Sequence, residues 1–208
     1  MYTYENKKVR FRVEDDVVVL ERRNTLANRL DGSVGTVSVM TRDICFLRVT
    51  LNPSGGCLAF PDMRDFKSYK NLIAFPKKDA PYFEGIYRYL YEKVRDNRYF
   101  YHFIIFGSNA NAYVTRDEIR FENALRVLGF SVGDSSPITV PLRDIAAVSV
   151  GLQKDEGLVT FAMSGGSARD IKIRFRKEDM PYVGEAKTYI ESRIESRQKT
   201  ETETEGCE

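Results

Sequence analysis

The chain has 208 residues, 42% hydrophobic and 30% charged, with 32 basic against 30 acidic side chains and a formal net charge of +2. That is the composition of a globular protein and excludes a disordered or fibrous one, and its length admits one large domain or two of about 100 residues. No stretch approaches the roughly 20 apolar residues of a bilayer span, and residues 1–8 lack the basic-then-apolar order of a secretory signal, so a cytoplasmic address with no transmembrane segment is expected.

In chain order, Val9, Phe11 and Val13 alternate with Arg10 and Arg12, the period of a strand with one buried face. Glu14-Asp15-Asp16 turns the chain into a second strand, Val17-Val18-Val19-Leu20. Beyond a polar link, strands are expected over residues 36–40, 45–51, 57–60 and 72–75, punctuated by Gly, Pro, Asn and Asp. The period then changes. From Asp79 as N-cap, Ala80-Pro81 opens a helix on which Phe83, Ile86, Tyr87, Leu90, Tyr91 and Val94 form one apolar stripe.

Residues 99–106 follow, with five aromatics in eight positions, too apolar for a free linker in water. Tyr99, Tyr101, Phe103 and Ile105 are therefore expected to pack between domains as a bridging strand, or to offer an edge to a partner.

The remainder repeats what came before. Residues 37–51 and 138–152 share six of fifteen residues at an offset of 101, including Arg42-Asp43-Ile44 against Arg143-Asp144-Ile145. Chance gives roughly one identity in that length. Gly56 and Phe60 match Gly157 and Phe161; one residue out of step, Phe75, Lys77, Asp79, Pro81 and Tyr82 match Phe175, Lys177, Asp179, Pro181 and Tyr182. Upstream, Phe11 is aligned with Tyr113 and Asp15 with Asp117, at 102. The second copy also ends in a helix, capped by Asp179, with Val183, Ala186, Tyr189, Ile190 and Ile194 on one face. The expected division is residues 1–98, a linker or bridging strand over 99–112, a second copy over 113–197, and a disordered acidic tail over 198–208.

Six or seven short antiparallel strands capped by one helix, twice over, is a mainly β arrangement in the order of a pleckstrin-homology-like (PH-like) barrel. Pro141-Leu142-Arg143-Asp144-Ile145, then Gly157 with Phe161, then a strand ending in Phe175 before the helix, resembles the short PH-like domains that occur singly or in tandem in bacterial proteins. The resemblance covers nearly all of both copies, although the first has Met40-Thr41 in place of Pro-Leu. A looser resemblance is to the tandem PH-like domains of the FACT histone chaperone, and it implies histone or other protein binding. The first resemblance is to domains of uncharacterised function and implies a fold without a chemistry; the second implies a binding module.

The chemistry-bearing residues agree with that reading. The lone His102 lies in the aromatic run and reads as structural, and no HExxH, GxSxG, Walker A or GxGxxG motif occurs, so no enzyme and no cofactor are expected. An enzyme with a carboxylate-centred site between the copies would need paired acids of raised proton affinity. Cys45, Cys57 and Cys207 are too few and too far apart for a disulfide framework or a zinc site and are expected as reduced thiols. The glycine pairs at 55–56 and 165–166 read as hairpin turns. The acidic loops Glu14-Asp15-Asp16 and Arg116-Asp117-Glu118 count against a phosphoinositide site in the usual PH position.

Two basic ladders remain as candidate anion-binding faces, Lys8, Arg10 and Arg12 on one strand and Lys172, Arg174 and Arg176 on another. The leading expectation is a protein partner or a membrane-associated assembly; nucleic acid or anionic lipid on the ladders is the alternative, and an exposed strand edge would also permit a homo-oligomer.

Overall fold

The structure, a computed structural model, describes residues 1–30, 34–64, 71–123, 126–127, 130–131, 136–164 and 170–205. The chain is mainly β and divides into two compact units, Met1–Tyr101 and His102–Glu208.

The first unit opens with strands β1 (Tyr2–Glu5), β2 (Val9–Val13) and β3 (Val17–Arg22), a short helix α1 (Leu26–Leu30) and β4 (Gly35–Met40), which form an antiparallel sheet in sequence order. A 3-10 turn at Thr41–Asp43 leads to a second sheet of β5 (Arg48–Asn52), β6 (Gly55–Ala59) and β7 (Leu72–Pro76), followed by helix α2 (Ala80–Val94). Alternation puts Phe11, Val13, Val18, Leu20 and Val39 on the inner face of the first sheet, and Leu58, Ile73 and Phe75 line the second. Phe83, Ile86, Leu90 and Val94 of α2 are buried against both in one core. At about 1.5–3 kcal/mol for a buried side chain of this size, that stripe dominates what holds the helix in place.

The second unit repeats the plan. Strands β8 (Phe103–Phe106), β9 (Ala110–Val114) and β10 (Glu118–Asn123), a two-stranded excursion of β11 (Arg126–Val127) and β12 (Phe130–Ser131), and β13 (Ile138–Pro141) come first. The first sheet runs β8-β9-β10-β13, and a second is built from β14 (Ile145–Gln153), β15 (Glu156–Met163) and β16 (Ile171–Arg176) before helix α3 (Met180–Glu205). Val183, Ala186, Ile190 and Ile194 are its buried stripe.

The repeat extends to the hydrogen-bond register. Tyr2 pairs with Val13 as Phe103 pairs with Val114, Val17 with Met40 as Glu118 with Pro141, and Leu51 with Gly56 as Leu152 with Gly157. The backbone N–H groups of Thr41 and Leu142 donate to the carbonyls of Asp16 and Asp117, each at 2.9 Å. All of this holds at 101, which corrects the upstream alignment at 102: Phe11 corresponds to Ala112, because strand side chains alternate and a shift of one residue inverts every face.

Other expectations are also corrected. Each unit holds two open sheets rather than a closed barrel, since among the described residues no ladder joins β4 to β5 or β13 to β14. The chain bends there, and β5 starts at Arg48 rather than at residue 45 because Ile44, Cys45, Phe46 and Leu47 are buried in the bend. Of residues 99–112, expected as a linker or a bridging strand, 103–106 pair as strand β8 and 110–112 begin β9, the counterparts of β1 and β2. The backbone of residues 198–205, expected to be disordered, continues α3, and residues 206–208 lie outside the described residues, as do glycines 165 and 166. Asp79 makes no capping hydrogen bond; its Oδ2 accepts from the Tyr4 hydroxyl at 3.1 Å.

One close approach recurs in both units. The residue opposite Phe75 is Gly56 and the residue opposite Phe175 is Gly157. A Cβ at Gly56 would sit 2.7 Å from the Phe75 ring, and one at Gly157 would run into the Phe175 ring, whereas Gly151 has open space. Gly157→Ala is expected to destabilise the protein by about 1–3 kcal/mol through overpacking, and Gly151→Ala to change it by less than about 0.5 kcal/mol. Urea unfolding of both variants measures the difference.

Candidate functional site

The two basic ladders meet different fates. On β2, Arg10 Nε donates to Glu5 Oε2 at 3.0 Å from β1, and its Nη1 lies 4.0 Å from Glu21 on β3. Arg12 Nη1 lies 3.5 Å from Glu14, and Arg23 also pairs with Glu5. The hydrogen bond from Arg10 holds the Glu5 carboxyl below its usual range, and Glu5 raises the Arg10 guanidinium in return. Lys8 is exposed just before the strand. This face is therefore largely neutralised within its own sheet.

On β16, Lys172, Arg174 and Arg176 alternate with Ile173 and Phe175 of the core and are all exposed. No ion pair forms on them among the described residues. Their neighbours across the ladder on β15 are Thr160, Leu158 and Glu156, so only Arg176 faces an acid. The backbone of this edge strand is tied down: Asn109 Nδ2 donates to the Lys172 carbonyl, the Arg174 N–H donates to Asn109 Oδ1, and the Ser108 N–H donates to the Arg174 carbonyl, each at 2.8 Å. Three cations thus project from a fixed backbone. The two ladders are not counterparts: β2 corresponds to β9, with Asn111 and Tyr113, and β16 corresponds to β7, with Leu72, Ala74 and Pro76.

The aromatic set does not stay together. Tyr101 is buried in the first unit, its N–H donating to the Cys45 carbonyl at 2.7 Å and its backbone bridging Phe46. Ile105 is in the second core, and Phe103 packs on Tyr182 and Tyr189. The edge that Phe103 and Ile105 would have offered is engaged, because the Ile104 N–H donates to the Tyr182 hydroxyl oxygen at 3.1 Å. The first unit uses the same device, with the Thr3 N–H donating to the Tyr82 hydroxyl at 3.0 Å and that hydroxyl donating to the Thr3 carbonyl at 2.6 Å. His102 stacks on Tyr189 with centroids 4.7 Å apart. Only Tyr99 stands out, 65% exposed.

Tyr99 borders a pocket of about 290 Å³ that sequence reasoning missed, whose described lining residues belong to the first unit. The 3-10 turn brings Arg42 and Asp43, the chain after β6 brings Asp62, Met63 and Arg64, and the segment leaving α2 brings Asn97. Asn97 ties its own segment to the 3-10 turn, its Nδ2 donating to the Arg42 carbonyl at 2.5 Å and its Oδ1 accepting from the Tyr99 N–H at 3.1 Å. Asp62 is buried, accepting from the Arg64 backbone N–H and from Arg64 Nη2, each at 2.9 Å. At the floor, Cys45 Sγ donates to the Pro61 carbonyl at 3.3 Å. Burial pushes this thiol up to about 12, the nearby Asp62 charge adding to the effect, so it is a thiol and not a thiolate near neutral pH.

Among the described residues no three His, Cys, Asp or Glu side chains gather around one point as metal ligands, and no helix is long and apolar enough to cross a membrane. Alkylation of the native protein at pH 8 is expected to modify the half-buried Cys57 and to spare Cys45 until the chain unfolds, which peptide mass spectrometry reads directly. The sequence matches neither a protein-family model nor a curated protein.

Proposed function

We propose that this chain is a non-enzymatic, tandem PH-like binding module of the cytoplasm that engages a protein partner or a membrane-associated assembly, with β16 as the contact for an acidic polypeptide segment. The PH-like reading is supported by the order common to both units, a four-stranded and a three-stranded antiparallel sheet and then one helix in a shared core.

The observation that carries the functional reading is the contrast between the ladders. Arg10 and Arg12 have acids beside them, while Lys172, Arg174 and Arg176 present charge from a strand whose backbone is already bound. Aligned cations on a rigid strand suit an extended acidic segment, since little side-chain order is lost per contact. A long polyanion such as duplex nucleic acid fits less well, because residues 101–208 carry 14 basic and 17 acidic side chains and repel it away from the strand.

Titration with an oligoglutamate peptide, duplex DNA and phosphatidylserine vesicles tests the reading. The peptide is expected to bind most tightly. Three exposed ion pairs at up to about 1 kcal/mol each predict a loss of about tenfold or more in the triple variant Lys172→Glu, Arg174→Glu, Arg176→Glu. The double variant Arg10→Gln, Arg12→Gln is expected to change affinity by less than about twofold, as its charges are internally matched. Undiminished binding by the triple variant, or preference for DNA or vesicles, contradicts the proposal.

A further inference from the structure

The pocket beside Tyr99 lies in the other unit from β16, and its chemistry is different. Its lining joins two exposed apolar residues, Tyr99 at 65% and Met63 at 53%, with the cations Arg42 and Arg64. The four charges of the lining are not equivalent. Asp62 is satisfied by the backbone and guanidinium of Arg64, which spends Nη2 at 2.9 Å and Nε at 3.3 Å on it. Asp43 approaches Arg42 only at Nε and only to 4.0 Å, beyond hydrogen-bond length. The Arg42 Nη donors have no hydrogen-bond acceptor among the described residues, and the side chain is 80% exposed while its backbone is held by Asn97.

A guanidinium that meets Asp43 through Nε alone, at 4.0 Å, keeps its Nη donors for one further negative charge. A phosphomonoester, with up to two charges, would meet Asp43 and Asp62 with only Arg42 and Arg64 as lining cations among the described residues. An aromatic ring and a thioether at the mouth, above a floor of Ile44 and Cys45, favour an aromatic body on the same molecule. A volume of about 290 Å³ admits a single ring with its attached group.

We infer that this pocket binds an aromatic monocarboxylate, its carboxylate on Arg42 and its ring against Tyr99 and Met63. Such a group is found in a free aryl-alkanoic acid or at a polypeptide C-terminus that ends in phenylalanine or tyrosine. Among the described residues the second unit lacks this lining: at the positions of Cys45 and Asp62 it has Ala146 and Met163, and α3 runs on where the first unit turns at Asn97. The pair Arg143 and Asp144, 3.7 Å apart, is the second unit's counterpart of Arg42 and Asp43 without these pocket walls and serves as an internal control.

The test is a titration of the full-length ¹⁵N-labelled protein, followed at the Tyr99 and Asn97 amides and the Arg42 Nε–H. The probes are 3-phenylpropionate, 3-phenylpropionamide, phenethylamine, and acetyl-Gly-Gly-Phe with a free or an amidated C-terminus. Saturable shifts are expected with 3-phenylpropionate and with the free-acid peptide, and the amides should bind about tenfold more weakly for want of the charge-assisted hydrogen bond. Arg42→Ala and Tyr99→Ala should each weaken binding about tenfold or more, and Arg143→Ala should leave it unchanged. Both substituted side chains are exposed, so the fold is not at stake. Tighter binding of the peptide than of 3-phenylpropionate assigns the ligand to a partner's C-terminus, and the reverse order assigns it to a free acid. The inference is overturned if no saturable shift occurs, if acid and amide bind alike, if phenethylamine is preferred, or if Arg42→Ala binds as the parent does. None of these readouts involves β16.

Discussion

Each unit depends on one contact, the stripe of four side chains that its terminal helix lays into the space between two open sheets. Phe83, Ile86, Leu90 and Val94 in the first unit, and Val183, Ala186, Ile190 and Ile194 in the second, belong to the same cores as the inner faces of the strands. Without the helix, the inner faces of both sheets would lose one wall and expose contiguous apolar surface to water. The tyrosine one turn into each helix then finishes the job at the sheet edge: Tyr82 and Tyr182 take the N–H of Thr3 and Ile104, groups that an edge strand would otherwise leave for water or another chain. Core closure and edge protection thus come from the same helix.

The duplication separates what the fold needs from what each copy does with it. Positions shared by both units are those that set the architecture: Val39 and Val140, Ile44 and Ile145, Phe60 and Phe161 in the cores, and Gly56 and Gly157 beneath the rings of Phe75 and Phe175. The surfaces have diverged. The cationic strand β16 has a neutral counterpart in β7, and the pocket of the first unit is built partly from the turn after α2 at which its chain passes to the second. Opposite charge balances accompany this, with 18 basic and 13 acidic side chains in residues 1–100 against 14 and 17 in the rest. Two copies of one scaffold carry two unlike surfaces.

Much of the architecture could be read from residue order, because period two and period 3.6 are local properties. The strands starting at Val9 and Val17 and the helix faces at Phe83 and Val183 needed no more than that. What escaped depended on register or on distant partners. Residues 103–106 show no alternation, since Ile104 and Ile105 are both buried, and the misplaced offset hid their match to Tyr2–Glu5. The pairing of Arg10 with Glu5 could not be foreseen while β1 was unassigned, so the two ladders looked alike although their surroundings differ. The pocket joins three separate segments of the chain, and only Tyr99 hinted at it. Cross-strand neighbours and loop convergence are properties of the assembled chain.

Hydrogen exchange followed by mass spectrometry on the full chain carrying Leu90→Ala tests the central claim that each unit is closed by its own helix. Removing a buried leucine costs about 2–5 kcal/mol, and protection should fall in α2 and in the strands β2, β3 and β6 that share its core, while α3 and β14–β16 keep theirs. Loss of protection in both units together, or an α2 that exchanges freely before any substitution, would contradict it.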